Sequence, residues 1–252
     1  MLRDYVTEGL QFLFDFANLY RPMAGPLRRA LDQAGTHQVV DLCSGAGGPW
    51  PRLCEAFERE GVSVDVCLTD KHPNVSATKP LRGADACVIH FRAEPVDATD
   101  IPASLAGFRT MFTSFHHFRP AEARAILQDA AKKQQGIGVF EIPRRSVRTM
   151  LMVFLVPIGY LLLVPTMRPF RWSRLLWAYL IPVVTFVLWF DGIISCLRAY
   201  SPAELLELTK GLSVNGYRWQ SGEQRGEGAA ATTVTYLIGC PAAGAAREPV
   251  SR

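Results

Sequence analysis

The stretch Val39-Val40-Asp41-Leu42-Cys43-Ser44-Gly45-Ala46-Gly47-Gly48-Pro49-Trp50 constrains the fold more than any other part of the chain. Val39 and Val40 read as the end of a strand buried on both faces, as in a parallel sheet. The glycines have no Cβ, so the backbone turns tightly there and comes close to a ligand. Pro49 suits a first helical turn, where its missing N–H costs nothing, and a helix then carries Leu53, Ala56 and Phe57. Strand, glycine-rich loop and helix in that order start a doubly wound α/β sheet with a nucleotide-type site at the loop.

The loop excludes two ligand classes. A dinucleotide fingerprint needs a third glycine, and Trp50 stands in its place. A phosphate-cradling loop needs Gly-Lys-Ser/Thr, and the loop has no lysine. What remains is an aspartate at the strand end, four residues before Gly45. This pattern resembles the first motif of the class I S-adenosylmethionine-dependent methyltransferases, acidic-x-Gly-x-Gly-x-Gly, with Cys43 at the first glycine position. Their cofactor carries no phosphate, so no lysine is required.

Further stretches extend the resemblance. Val62 to Asp70 reads as a second strand, and Asp70 follows the glycine loop by about twenty residues, where a carboxylate accepts both hydroxyls of a ribose. Cys87 to Phe91 reads as a third strand. Asp97-Ala98-Thr99-Asp100-Ile101-Pro102 is similar to the family's Asp-Ala-x-x-x-Pro stretch, which implies that Asp97 meets the adenine amino group and the Ala98 N–H a ring nitrogen. An Asx turn before Pro102 is the plain alternative. Phe108 to Phe118 reads as the fourth strand and its exit, and its Ser114-Phe115-His116-His117-Phe118 resembles the family's fourth motif. A helix then opens near Pro120 with Ala123, Ile126, Leu127 and Ala130 on one face. The resemblance puts Asp41, Cys43, Ser44, Gly45, Gly47, Asp70, Lys71, Asp97, Ala98 and Ser114 against S-adenosyl-L-methionine. His116 or His117 is the candidate general base, since imidazole titrates near neutral pH; otherwise one packs and the other caps the helix.

Gly136 to Ile142 reads as the fifth strand, with Glu141 at its exit. Ser201-Pro202-Ala203-Glu204 starts a helix with a capping serine, an early proline and an acidic first turn. Tyr217–Gln220 and Thr232–Gly239 read as a closing hairpin. The expected fold is therefore a doubly wound, Rossmann-like, seven-stranded sheet with its last strand antiparallel, helices on both faces and one inserted hydrophobic helical hairpin. Residues 36–143 and 198–241 form that domain, 1–35 an N-terminal helical cap, 144–197 the insertion and 242–252 a disordered tail. In the cap, Leu2, Val6, Leu10, Leu13, Phe14 and Ala17 recur at helical spacing. Pro22 and Gly25 break that helix, and Leu27, Ala30 and Leu31 continue a second. The cap either covers the cofactor mouth or packs on the sheet, with Tyr20 and Arg21 near the site.

The insertion does not suit a fully solvated enzyme. Met150 to Met167 is eighteen residues without a charge, and Leu175 to Phe190 is a second uncharged run. Each nearly matches a ~30 Å hydrocarbon layer. Pro157, Pro165 and Pro182 interrupt the runs, and Arg168, Arg171 and Arg174 lie between them. If both runs crossed, these arginines would lie outside while the enzyme stayed inside, against the positive-inside tendency. The favoured arrangement is a hairpin lying in or dipping into one leaflet at the cytoplasmic face, with arginines and tryptophans at headgroup level. A two-span hairpin is the alternative; a homodimer interface or an internal lid is the third. Asp191 closes the second run, either paired with Arg198 or facing the substrate.

Composition bounds the rest. The chain has 252 residues, 49% of them apolar, and a net charge of +4. That charge forms no basic stripe, so no nucleic-acid partner is expected. The six cysteines form no CxxC pair, so neither a metal site nor a disulfide framework is expected, and a reducing compartment fits. Asp4, Glu8 and Asp15 speak against a signal peptide. Together these features imply a membrane-associated methyltransferase acting on an apolar small molecule or a prenyl- or acyl-tailed lipid, similar to the quinone C-methyltransferases and bacterial phospholipid N-methyltransferases. The alternative is a non-catalytic membrane adaptor that keeps the fold or a bound nucleoside.

Overall fold

The computed structural model describes residues 9, 18–45, 47–73, 87–167, 170–213, 216–226 and 232–242. The expected first helix apart from Gly9, Arg168 and the expected tail beyond 242 lie outside the described residues. Seven strands form one sheet in the order β3-β2-β1-β4-β5-β7-β6. They are β1 (Gln38–Leu42), β2 (Val64–Leu68), β3 (Cys87–Phe91), β4 (Phe108–Phe112), β5 (Ile137–Glu141), β6 (Arg218–Arg225) and β7 (Thr233–Cys240). The first five run parallel to one another, and β7 runs antiparallel to both β5 and β6.

Alternation along each strand sends successive side chains to opposite faces. In β1, Val39 enters the core under α1 (Ala24–Ala34) and α2 (Trp50–Arg59), beside Leu27, Leu31, Leu53 and Phe57. Val40 and Leu42 enter the opposite core under α3 (Pro120–Lys132), with Ile126, Leu127 and Ala130. Two covered faces explain the continuous apolar character of β1 and β5.

Helix ends follow local chemistry, with one departure. Ser201 caps α6 (Pro202–Leu208) by accepting from the Glu204 amide, and Glu204 accepts in return from the Ser201 amide at 2.8 Å. Pro120 opens α3 as expected. Pro49, however, is the N-cap residue of α2, and Pro51 is the proline in its first turn.

A disulfide joins Cys54 on α2 to Cys87 on the edge strand β3, across 33 residues. This corrects the expectation that no disulfide forms. The pair is made by packing α2 across β1 and β2 to the sheet edge, which no local spacing announces.

The insertion is helical. α4 (Val147–Leu163) continues through Pro157 without ending there. A shorter helical stretch, Trp172–Leu180, bends by 65° into α5 (Val183–Arg198), and Pro182 caps the latter. α4 and the turn that follows it pack on α5 through Tyr160, Val164, Val184 and Leu188. Gly9 is close to this pair: a Cβ there would stand 2.9 Å from the Tyr160 ring. Val147–Thr166 is long and apolar enough to cross a membrane by length and composition. Its outer face is largely open, with Leu151 61% and Leu162 73% exposed. Trp172 is 78% exposed, but Arg174 is buried and donates to the Met167 carbonyl at 3.2 Å, so it does not stand at the surface as expected.

Candidate functional site

The order of strands reverses between β1 and β4, and ligands in open α/β sheets bind beyond the strand ends at such a switch point. Asp41 and Thr110 face each other across that seam. The Thr110 hydroxyl donates to Asp41 Oδ1 at 2.6 Å. Burial pushes the Asp41 carboxyl up to about 6, with the Thr110 hydrogen bond holding the rise back.

The loop after β1 is held open by backbone geometry. Cys43, Gly45, Gly47 and Gly48 all have positive φ, at 57°, 56°, 112° and 55°. Cys43 therefore takes a left-handed conformation that a Cβ disfavours, at the position where the related motif has glycine. Its thiol is pushed up to about 12, first by burial and then by the charges of Asp70, Asp41 and Asp97. A thiol so displaced is no nucleophile at neutral pH. Ser44 is buried, and its hydroxyl pins the loop: it donates to the Asp41 carbonyl at 2.8 Å and accepts from the Thr69 amide at 3.1 Å. Its side chain is thus committed to structure.

Asp70 lies just past β2. Its Oδ2 accepts from the Gly45 amide at 3.0 Å and its Oδ1 from the His72 amide at 2.8 Å. Each oxygen keeps a further acceptor site. Asp97 is more fully used. Its Oδ1 accepts from the Thr99 amide and hydroxyl at 2.9 and 2.7 Å, and its Oδ2 pairs with Lys71 at 2.7 Å. The Lys71 partner, then Thr99, holds its carboxyl down to about 2. The Asx turn at Asp97 is therefore present, and Lys71 takes one of the two acceptor sites on the other oxygen. Ala98 is buried in the core. Ser114 stands at the β4 exit, its hydroxyl buried with no hydrogen-bond partner among the described residues.

The two histidines differ sharply. The His116 side chain is 1% exposed, with Nδ1 2.5 Å from Glu141 Oε2 and Nε2 2.9 Å from Ser195 Oγ on α5. A carboxylate does not donate, so Nδ1–H donates to Glu141, and in the neutral ring Nε2 accepts from the Ser195 hydroxyl. Both ring nitrogens are thus engaged within the protein, and His116 links Glu141 to Ser195. Glu141 is fully buried. Its Oε1 accepts from the Ser114 and Phe115 amides at 3.0 and 2.7 Å, so it fixes the loop instead of lining an open pocket. His117 is exposed, and its ring lies 4.2 Å from that of His116. Surrounding protein mass, then His116, lowers its pKa below the ordinary imidazole value, while Asp191 and Glu141 oppose that shift. His117 is therefore neutral and proton-accepting at neutral pH.

No family description matches this chain, and no curated protein sequence does. Solved structures do. The methyltransferase domain of bacterial CtHen1 is similar at 12% identity with a TM-score of 0.48, over 88% of this chain and 99% of that one. Human N-acetylserotonin methyltransferase in complex with SAM is similar at 15% identity and 0.48, over 93% of this chain. LepI in complex with SAM is similar at 14% and 0.47, over 85%. The chain spans 56% of the human enzyme and 46% of LepI, about half the length of either. Likeness this distant leaves function to the chain's own strand order and residues.

Tyr20 is buried beneath the strand ends, hydrogen-bonded to the Thr113 hydroxyl and edge-on to Phe112 at 5.0 Å. It supports the β4 exit instead of lining an open site. Asp191 lies within α5, and no ion pair joins it to Arg198 among the described residues. Sequence reasoning did not find Ser195. Its only local signal is a hydroxyl in an apolar helix, four residues after Asp191.

Proposed function

We propose that this chain is an S-adenosylmethionine-dependent methyltransferase working at a membrane surface on a prenyl- or acyl-tailed substrate. The observation that carries the cofactor is the electrostatics of the glycine loop. Asp41, Asp70 and Asp97 all act on Cys43 at its centre, with Lys71 alone opposing them. Asp97 is paired with Lys71, and the remaining carboxylates of Asp41 and Asp70 disfavour a pyrophosphate and favour a ligand with positive charge. S-adenosylmethionine meets that demand, and it supplies a methyl group on a positively charged sulfur.

The residues present fit this group at three points. The remaining acceptor sites of Asp70 suit ribose hydroxyls, the buried Ser114 hydroxyl lacks a partner among the described residues, and Asp41 places negative charge at the switch point. Asp97 fits less well, because Lys71 and Thr99 already hold its carboxylate. That feature, with Cys43 at a glycine position, favours the second reading, a non-catalytic membrane adaptor. The chain's own contribution to transfer is alignment and exclusion of water beneath the insertion.

The apolar surface of the insertion supports the membrane part. Leu151, Phe154, Leu155, Ile158, Leu162 and Phe186 are all exposed. Large apolar side chains exposed together on one inserted hairpin suit an interaction site. Full-length protein should float with phospholipid vesicles, and the triple variant Leu155→Asp, Ile158→Asp, Phe186→Asp should stay at the bottom of the gradient. Equal flotation of both contradicts the anchoring.

A further inference from the structure

Positive charge is unevenly placed along the chain. Residues 142–198 hold seven arginines, no lysine and one acid, Asp191. They carry +6 in a chain whose total is +4, so everything else is net −2. The two ends of this insertion differ. At the end nearest the sheet, acids answer the arginines: Arg144 donates to Glu223 at 2.5 Å, Arg145 pairs with Glu204, and Asp191 shares α5 with Arg198. At the far end, Arg168, Arg171 and Arg174 fall within seven residues, and no acid occurs anywhere from residue 142 to residue 190. Arg174 is turned inward onto the Met167 carbonyl and braces the corner. Arg171 is exposed between Phe170 and Trp172, whose rings meet edge-on at 5.1 Å. Arg168 lies outside the described residues and adds its charge by sequence alone.

This corner leads into Trp172–Leu180, the arm bent by 65° from α5. The inner side of the arm is fixed. Ala178 is buried, its carbonyl accepts from the Thr185 hydroxyl at 3.1 Å, and the Tyr179 hydroxyl donates to the Leu161 carbonyl. The outer side carries Trp172, Leu176, Leu180 and Ile181, all exposed. A braced arm with an apolar outer side and arginines at its start suits the boundary between head groups and acyl chains.

We propose that this arm, with Arg168 and Arg171, docks on an anionic phospholipid surface. This rests on the membrane reading and names the lipid that the far end of the insertion takes. A zwitterionic surface receives the apolar side chains but offers no net charge to the arginines. A nucleic acid answers the arginines but leaves Leu180 and Ile181 in water. An anionic phospholipid does both. Its phosphate accepts paired N–H bonds from a guanidinium, which a lysine does not supply, and its acyl chains cover the apolar side. Each arginine brought to such a surface strengthens binding about fivefold at low salt.

The test floats full-length protein with vesicles of phosphatidylcholine alone and with about 30% phosphatidylglycerol, at low salt and at about 0.5 M NaCl. Phosphatidylglycerol should raise binding about tenfold at low salt, and the higher salt should erase most of that gain. The double variant Arg168→Gln, Arg171→Gln should lose the gain yet bind phosphatidylcholine as before, which shows that it is folded. The double variant Arg148→Gln, Arg198→Gln, at the near end, should keep most of it. Phospholipid brominated near the head-group end of its acyl chains should quench wild-type tryptophan fluorescence more than that of Trp172→Phe. Equal binding to the two vesicle types, a gain retained without Arg168 and Arg171, a larger loss from the near-end pair, or equally tight binding of a short single-stranded oligonucleotide overturns the proposal. Wild-type flotation with phosphatidylcholine alone reports separately on the membrane reading. If neither vesicle is bound, that reading falls as well, whereas binding without lipid preference overturns only the charge proposal.

Discussion

Ser195 Oγ lies 2.9 Å from His116 Nε2, and through that contact the apolar insertion is wired to the end of β5. Glu141 completes the link, with its second oxygen on the amides of Ser114 and Phe115. Each member is buried, so each hydrogen bond is made in a poorly solvating interior, where an unpaired partner is costly.

Removing the central ring isolates the acid. His116→Phe leaves Glu141 Oε2 buried without its partner and should cost about 3–5 kcal/mol of stability. Ser195→Ala removes one neutral hydrogen bond and should cost about 1 kcal/mol. Denaturant unfolding measures both, and equal losses would contradict the geometry of the link.

Asp41 sets a pH dependence. Its folded value of about 6 lies above its ordinary 3.8, so between the two the folded protein binds the proton more strongly. This contribution is complete below the unfolded value and is lost as pH rises through about 6. Asp41→Asn should flatten that slope and make the ligand-free protein more stable than wild type at pH 8, by up to about 3 kcal/mol. Unfolding midpoints at pH 4, 6 and 8 decide it. A variant less stable than wild type at pH 8 contradicts the burial argument.

Cys43 is strained and unreactive. Cys43→Gly relieves a left-handed Cβ worth about 1–2 kcal/mol, less the extra flexibility of glycine in the unfolded chain, about 0.5–1 kcal/mol. A small gain in stability is expected. Native protein at pH 8 should not take iodoacetamide at Cys43, since its thiol stays protonated. Peptide mapping after brief alkylation shows this directly.

The Cys54–Cys87 bond closes a loop of about 33 residues. Such a closure stabilises by about 3–4 kcal/mol in the chain-entropy picture. The Cys54→Ala, Cys87→Ala variant should unfold at clearly lower denaturant concentration, and a reducing agent should lower wild type but not the variant.

Much of the frame was legible in the sequence, because it rests on local signals. The run Val39-Val40 before a glycine loop, the face Ala123-Ile126-Leu127-Ala130 and the Ser201–Glu204 cap each depend on residues a few positions apart. What escaped depends on distance. Cys54 and Cys87, His116 and Ser195, and Tyr20 and Thr113 meet only after the sheet is assembled, and neither partner carries a periodic mark. Asp97 shows the reverse: its Asx turn is local and legible, but Lys71, 26 residues earlier, adds a contact to its carboxylate that no local pattern shows. The positive φ at Cys43 was equally hidden, since a cysteine gives no sign of a left-handed backbone.

The central claim is that the carboxylate-ringed loop binds an adenosyl sulfonium. Calorimetric titration of S-adenosylmethionine into full-length detergent-solubilised protein, with S-adenosylhomocysteine and NAD in parallel, tests it most directly. Micromolar binding of both adenosyl ligands, none of NAD, and a loss of about 1–3 kcal/mol in Asp70→Ala is the predicted result. A folded protein that binds neither adenosyl ligand, or binds NAD as well, contradicts the account and leaves the adaptor reading in its place.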